Sequence, residues 1–197
     1  FSLLGRLAKN DEICLRMIDA KAVGMISSLM EDDTALDNFG EVLLEVMLSL
    51  CKNESGATQF VESENGIERI VNVYERVCKV YAYVYAWNTL AIVGKKHQKY
   101  RAKMVELGVI KHIVRNLNKW NNWNVKTAGC EALNVIAQDT QYVSNMIEAG
   151  GIDAVTSALA SRKTAGDSNC PLQQLFDLLT HKFLASNGKK RKHEQTL

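Results

Sequence analysis

The stretch VELGVIKHIVRNL, residues Val105–Leu117, decides the fold because its pattern returns along the chain. A glycine is followed by a β-branched residue, and apolar residues then recur at three- and four-residue steps. Stretches of the same kind begin at Ser63 (SENGIERIV) and Glu148 (EAGGIDAV), and a looser copy begins at Asp19 (DAKAVGMI). Such steps mark one face of a helix, and glycine tolerates the left-handed backbone in which many helices end. The pattern therefore predicts helices that start and stop at regular intervals.

The interval between these stretches is nearly constant. The glycines before the β-branched residue are Gly66, Gly108 and Gly151, at steps of 42 and 43 residues, and Ala22 lies 44 residues before Gly66. A step near 43 is typical of stacked helical repeats. Each unit contains a short polar helix closed by the glycine, a second helix and, after a polar loop, a longer and more apolar third helix. With one proline in 197 residues, the sequence predicts an all-α chain.

This organisation resembles the armadillo repeat, a three-helix unit of about this length. The third unit matches best, since AGCEALNVIAQ (Ala128–Gln138) is similar to the family's Ala- and Leu-rich third helix. The resemblance implies a right-handed superhelical solenoid over residues 1–185, followed by a basic tail at 186–197. One unit cannot bury its apolar face alone, so stacked neighbours share a core. The expected repeats lie near 10–52, 53–94, 95–138 and 139–184, with 1–9 as the end of a preceding repeat.

In armadillo proteins the third helices line a concave groove that receives an extended peptide, and the resemblance implies such a groove here. Residues four apart share one face of a helix, which identifies the candidate groove residues in each unit. They are Glu41, Glu45 and Ser49 in the first unit, Val84, Asn88 and Ile92 in the second, and Thr127, Glu131 and Val135 in the third. The expected occupant is an extended peptide or a helix of a partner protein. A solvated groove without an occupant is the alternative.

The groove lacks the residues of the importin-α type of nuclear import receptor, which uses a tryptophan ladder with asparagines one turn later. The tryptophan positions hold Glu45, Asn88 and Glu131, and the asparagine positions hold Ser49, Ile92 and Val135. Trp87 and Asn134 each fall one residue out of register. The chain is therefore predicted not to be a receptor of this type.

Charge is polarised along the chain although the net charge is only +2. Residues 1–70 contain 6 Lys and Arg against 13 Asp and Glu, whereas residues 95–126 contain 9 against 1. The basic segment also holds aromatic residues, a mixture that nucleic-acid-binding surfaces use. Three interpretations stay open for it: the solvated face of a helix, a binding edge for an acidic protein, or a surface for nucleic acid or anionic lipid. The candidate edge residues are Lys96, Lys99, Lys103, Trp120 and Trp123.

The last residues carry a second basic run. Lys189, Lys190, Arg191 and Lys192 resemble a monopartite nuclear localisation signal. The Ser-Asn-Gly sequence at 186–188 predicts a helix stop just before this run. The five cysteines form no CxxC pair and are predicted to be free thiols in a reducing compartment. An intracellular, cytoplasmic location follows, with the nucleus as the alternative that the basic run suggests.

Catalytic and metal-binding signals are absent from the sequence. There is no Gly-rich phosphate loop, no His and Cys spacing for a metal, and no apolar run near the roughly 18 residues of a membrane span. We therefore expect no enzyme activity and no cofactor. The expected function is a protein-interaction scaffold or adaptor in a larger assembly. The alternatives are a structural solenoid on a cytoskeletal or ciliary scaffold, and a nucleic-acid or anionic-lipid module that uses residues 95–126.

Overall fold

The computed structural model describes residues 3–63, 65–161 and 170–194, with side chains described as far as residue 185. Within these ranges the regular structure is helical throughout and contains no β-strand, so the prediction of an all-α chain is confirmed. The helices are α1 (Leu3–Leu7), α2 (Asp11–Asp19), α3 (Ala22–Leu29), α4 (Asp33–Lys52), α5 (Glu54–Glu62), α6 (Gly66–Val77), α7 (Val80–Lys96), α8 (Gln98–Glu106), α9 (Val109–Lys119), α10 (Trp123–Ile136), α11 (Val143–Glu148), α12 (Gly151–Ala160) and α13 (Pro171–Glu194), and a 3-10 turn at Thr140–Tyr142 precedes α11.

Asparagine and aspartate side chains start four of these helices. Asn10 caps α2, Asp32 caps α4, Asn53 caps α5 and Asn122 caps α10. Each carboxyl or amide oxygen accepts a hydrogen bond of 2.7–3.2 Å from a backbone N–H two or three residues further on. Such caps satisfy amide groups that have no partner inside the helix. The polar loops between apolar segments therefore fix where the helices begin.

The residue that adopts the left-handed backbone conformation before each second helix is not always the predicted glycine. Gly108, with φ of +75°, precedes α9 as expected. Before α12 this residue is Gly150, before α6 it is Asn65, and before α3 it is Lys21. The prediction that glycines 66 and 151 supply this conformation is wrong. Among residues other than glycine, asparagine is one of those that adopt the left-handed conformation most readily.

Gly66 and Gly151 are required for a different reason, namely that neither position has room for a side chain. Each is the first residue of a second helix, and each lies against the carbonyl of the preceding helix. A Cβ atom on Gly66 would lie 2.7 Å from the carbonyl oxygen of Phe60, and one on Gly151 would lie 2.7 Å from that of Met146. Backbone cannot yield as a flexible side chain does, so both positions require the absence of a side chain.

The longest helices pack on one another in chain order. Helix α4 packs on α7, α7 on α10, and α10 on α13. Among the described residues, the extensive helix–helix contacts all join elements that lie close together along the chain. The buried apolar residues form one cluster from Ala8 to Leu179, so the core is continuous through these layers. Leu90, Leu133 and Ile136, which the repeat pattern assigns to the core, are fully buried.

Helix α13 does not stop at residues 186–188, where the sequence predicts its end. Its backbone continues to Glu194. A glycine inside a helix costs only about 1 kcal/mol relative to alanine, and the lysines and arginine that follow are good helix formers. The basic run Lys189–Lys192 lies on this part of α13, and its side chains are outside the described residues.

Candidate functional site

Helix α7 presents a regular row of side chains on the surface opposite the core. Tyr81 and Lys95 are exposed, and Val84, Asn88 and Ile92 between them are half-buried. These five residues are separated by steps of three or four and therefore share one face of the helix. The structure thus brings the three candidate groove residues of the second unit onto one accessible face.

Helix α10 continues this surface with one change of register. Thr127 and Glu131 are half-buried, but Val135 is buried, so its predicted place in the groove is not accessible. The next accessible position is Asn134, whose side-chain amide donates a 2.8 Å hydrogen bond to the carbonyl oxygen of Pro171. A Glu131 carboxylate oxygen lies 2.6 Å from the Lys95 ammonium group at the end of α7.

Helix α4 is more deeply covered than the sequence suggests. Glu41 is half-buried, whereas Glu45 and Ser49 are each only 6% exposed. The Ser49 hydroxyl donates to the carbonyl oxygen of Glu45 at 3.1 Å, and the Lys9 ammonium lies 2.8 Å from the Glu45 carboxylate. Lys9 belongs to the segment after α1, so a residue from the preceding layer covers this part of α4. We call the accessible faces of α4, α7 and α10 together the third-helix surface.

Four acidic residues follow one side of α4 at four-residue steps: Asp33, Asp37, Glu41 and Glu45. Arg76 pairs with Asp33 and, at 2.8 Å, with Asp37. These hydrogen bonds raise the pKa of Arg76 above its ordinary value. With Glu45 held by its lysine, Glu41 is the member of this row that pairs with no cation among the described residues.

Two tyrosines of α7 lie beside these acids. The rings of Tyr81 and Tyr85 stack with centroids 6.2 Å apart and an angle of 26° between their planes. Burial raises the pKa of the Tyr85 hydroxyl, and the negative charges of Glu45 and Glu41 raise it further. The junction of α4 and α7 thus combines aromatic rings with acidic groups.

The candidate basic edge is already engaged in ion pairs with the acidic part of the chain. Lys96 lies 3.6 Å from Glu54 of α5, and Lys103 lies 2.6 Å from Glu68 of α6. The third lysine, Lys99, has its ammonium 4.9 Å from the centre of its neighbouring Tyr100 ring. Acidic residues of 1–70 and basic residues of 95–126 therefore pair across adjacent layers of helices. This pairing explains part of the separation of charge along the sequence.

Two further basic residues of this segment also serve the fold. The Arg101 guanidinium lies 2.7 Å from the Asp139 carboxylate, both side chains are nearly buried, and the same guanidinium donates to the Gly94 carbonyl at 2.8 Å. Lys126 is buried and donates to the hydroxyl of Ser161. Among the described residues of 95–126, a minority of the basic side chains is thus available for a polyanion.

The two tryptophans of the NKWNNWN loop have different environments. Trp120 is half-buried, its ring lies 6.1 Å from that of Tyr83, and its indole N–H donates a 3.0 Å hydrogen bond to Asn116. Trp123, the first residue of α10, is 39% exposed. Of the two candidate edge tryptophans, Trp123 is therefore the accessible one and Trp120 stabilises the loop.

Sequence reasoning missed three residues of this surface, Phe39, Tyr81 and Tyr85, and also Lys9, which covers part of it. Tyr81 was detectable, since it lies one helical turn before Val84 and thus in the same row. Phe39, Tyr85 and Lys9 had no such signal, because their positions depend on how successive layers pack. Phe39 and Tyr81 are 58% and 51% exposed, large values for aromatic side chains.

Other classes of site find no support in the described ranges. No group of three or more His, Cys, Asp or Glu side chains is placed to hold a metal ion there. No helix within those ranges has the length and apolar character to cross a bilayer. Comparison of the chain with models of known protein families, with curated proteins and with solved structures found no match.

Proposed function

We propose that the chain is an armadillo-type solenoid that binds a segment of another protein along its third-helix surface. The consecutive packing of α4, α7, α10 and α13 supports the repeat architecture. The extensive contacts join helices that lie close together along the chain, which also supports this architecture, because each unit of a solenoid contacts mainly its neighbours.

One observation carries the proposed binding role. The long helices place half-buried polar and apolar side chains in rows at three- and four-residue steps, above a fully buried core. Val84, Asn88 and Ile92 form the clearest row, on α7. Because the helices are already ordered by their core, a partner segment binds without the additional cost of ordering the receptor. The basic edge is the weaker candidate, since Lys96 and Lys103 already pair with acidic residues.

A peptide selection tests this function while the natural partner is still unidentified. Random 12-residue peptides displayed on phage are selected against the immobilised chain, and the affinities of enriched peptides are measured by fluorescence anisotropy. Asn88→Arg places a long cationic side chain in the middle of the α7 row. Asn72→Arg, at an exposed position of α6, is the matched control with the same change of residue and charge.

We expect enriched peptides to lose about tenfold or more in affinity on Asn88→Arg and to bind the Asn72→Arg control as they bind the parent chain. Circular dichroism and urea unfolding establish that both variants remain folded. Peptides that bind all three proteins equally, or the enrichment of no peptide above background, would overturn the proposed function.

A further inference from the structure

We propose that the junction of α4 and α7 binds one lysine or arginine side chain of the partner segment, together with a neighbouring apolar residue. The surface concerned, which we call the aromatic–acidic patch, consists of Phe39, Glu41 and Val42 on α4 and Tyr81 and Tyr85 on α7. This inference rests on the proposed function, because it names the chemistry of the segment that binds the third-helix surface.

The patch has a place for an apolar side chain. A cleft of about 340 Å³ opens between α4 and the end of α6, and Phe39, Glu41 and Val42 line one side of it. Leu36 and Val77 add apolar atoms to its lining, which also includes the polar or charged residues Asp37, Asn38, Arg76 and Lys79. Phe39 is the more exposed aromatic residue of the patch, and an exposed aromatic group beside a cleft is the type of position at which interfaces gain most of their energy.

The patch also has an uncompensated negative charge. The other three acids on this side of α4 share two cations of the chain, because Arg76 contacts both Asp33 and Asp37 and Lys9 pairs with Glu45. Glu41 stands between the paired acids, and no lysine or arginine of the described residues pairs with it. A cation from a partner would complete the row. The row carries four negative charges against two positive ones, and Glu41 is the acid in it without a cation of its own.

The stacked tyrosines add a second attraction for the same cation. An ammonium or guanidinium group over an aromatic face is stabilised by the ring's quadrupole. Tyr81 is half exposed and its ring stacks on that of Tyr85. The charged groups of α4 that act on the Tyr85 hydroxyl are the carboxylates of Glu45 and Glu41. Ring faces and a carboxylate together distinguish a lysine or arginine from a neutral side chain of similar length.

The next junction along the surface lacks this combination. At the α7–α10 junction the residue that corresponds to Glu41 is the uncharged Val84, and the acid of α10, Glu131, is held by Lys95. A basic residue of the partner is therefore expected at the α4–α7 junction and not at the α7–α10 junction. The preference of the third-helix surface for a basic residue is therefore expected to decrease from the α4–α7 junction to the α7–α10 junction.

Lys79 bounds the cleft and sets a limit on the ligand. It is the residue that precedes α7, and it is exposed. Arg76 also lines the cleft, and the two positive charges disfavour a basic residue inside it, so the residue that enters the cleft is expected to be apolar. Replacement of this lysine by methionine is expected to strengthen binding of basic peptides about two- to fivefold, since it removes a repulsion at partly exposed positions.

The test uses the peptides enriched on the parent chain in the selection described above. The highest-affinity peptide is synthesised with each lysine or arginine changed, one at a time, to norleucine or citrulline, which keep the length and remove the charge. Affinities are measured for the parent chain and for Glu41→Gln and Tyr81→Leu. Glu148→Gln, an exposed glutamate on α11, is the matched control for the loss of one negative charge.

We expect the enriched peptides to share one basic residue next to an apolar one. Neutralising it is expected to weaken binding to the parent chain about tenfold. On the Glu41→Gln variant neutralisation is expected to weaken binding only about three- to fivefold, because the tyrosine rings still attract the cation. Tyr81→Leu is expected to weaken binding of the unmodified peptide about three- to fivefold. Glu148→Gln is expected to leave every affinity unchanged.

Two outcomes separate this inference from the proposed function. If the peptides depend on Asn88 but not on Glu41 or on any basic residue, the aromatic–acidic patch is not a cation site, while binding along the third-helix surface stands. If no peptide depends on Asn88, both are overturned. A basic peptide whose affinity falls equally on Glu41→Gln and Glu148→Gln reports only the net charge of the chain and also overturns this inference.

Discussion

The ammonium group of Lys95 lies 2.6 Å from a carboxylate oxygen of Glu131 and joins the last turn of α7 to the middle of α10. Lys9 and Glu45 make the same kind of contact at 2.8 Å, and the two residues of each pair are separated by the same 36 positions. In each pair a lysine at or just beyond the end of one helix neutralises an acid on a long helix of the next layer. Two of the acids that the sequence assigns to the groove are therefore ion-paired within the chain.

The exposed pair of Lys95 with Glu131 is expected to add little stability, in contrast to the pair of Arg101 with Asp139. In Glu131→Gln the lost pair is substantially exposed, so the free energy of unfolding should change by about 1 kcal/mol or less. Asp139→Asn leaves a nearly buried guanidinium without its carboxylate, and we expect a loss of about 1–3 kcal/mol. Urea unfolding at constant salt measures both. Equal losses in the two variants would contradict the assignment of Arg101 as a structural residue.

Helix positions follow from local pattern, and for this reason the sequence predicts them well. The signals are local. Apolar residues recur at three- and four-residue steps, and Asn or Asp precedes several of the helices, so a short segment of the chain is enough to recognise each helix. Accessibility on the third-helix surface is different, because it depends on the neighbouring layer. Glu45 is covered by Lys9, which lies 36 positions away, and nothing within α4 indicates this contact.

The error at Val135 has a different origin, which lies within α10 itself. A strict four-residue step from Glu131 leads to Val135, whereas α-helices have 3.6 residues per turn and the face drifts along the helix. Asn134, at a three-residue step, is the accessible residue, and Val135 contributes to the core.

Two glycines are expected to respond in opposite directions to alanine. Gly24 lies exposed within α3, and a Cβ there would meet nothing within 4 Å. Gly24→Ala should therefore raise the free energy of unfolding by about 0.5–1 kcal/mol, because alanine loses less backbone entropy on folding. Gly66→Ala should lower it by about 1–3 kcal/mol, because its Cβ would clash with the Phe60 carbonyl.

Thermal and urea unfolding of the two variants provide the measurement, and each serves as the control for the other. The same sign for both changes would show that general helix propensity, and not the close approach of Gly66 to the preceding helix, governs these positions.

The two loop tryptophans are expected to differ in their effect on stability. Trp120→Ala removes a half-buried ring that contacts Tyr83 and an indole N–H bonded to Asn116, and we expect a loss of about 2–4 kcal/mol. Trp123→Ala changes an exposed side chain, and we expect a loss of about 1 kcal/mol or less. Urea unfolding followed by circular dichroism measures both without dependence on tryptophan fluorescence. A larger loss for Trp123→Ala would reverse the roles given to these residues.

Stability is expected to fall steeply in alkaline solution because of two buried thiols. Burial raises the pKa of Cys51 and that of Cys130 to about 12, from an ordinary value of 9.0. Below about pH 8 both thiols are protonated in the folded and unfolded chain, so they add no pH dependence there. Between about pH 9 and 12 the unfolded chain releases these protons while the folded chain retains them. Each thiol then lowers the free energy of unfolding by about 1.4 kcal/mol per pH unit.

Cys130→Ala separates this effect from other alkaline titrations. Free energies of unfolding are measured in urea with a reducing agent at pH 8 and pH 10.5, for the parent chain, for Cys130→Ala and for Cys78→Ala. The Cys78 thiol is exposed and provides the matched control. Relative to the parent chain, the loss between the two pH values should be smaller by about 2 kcal/mol in Cys130→Ala and unchanged in Cys78→Ala. If both variants lose as much as the parent chain, the Cys130 thiol does not retain its proton in the folded core.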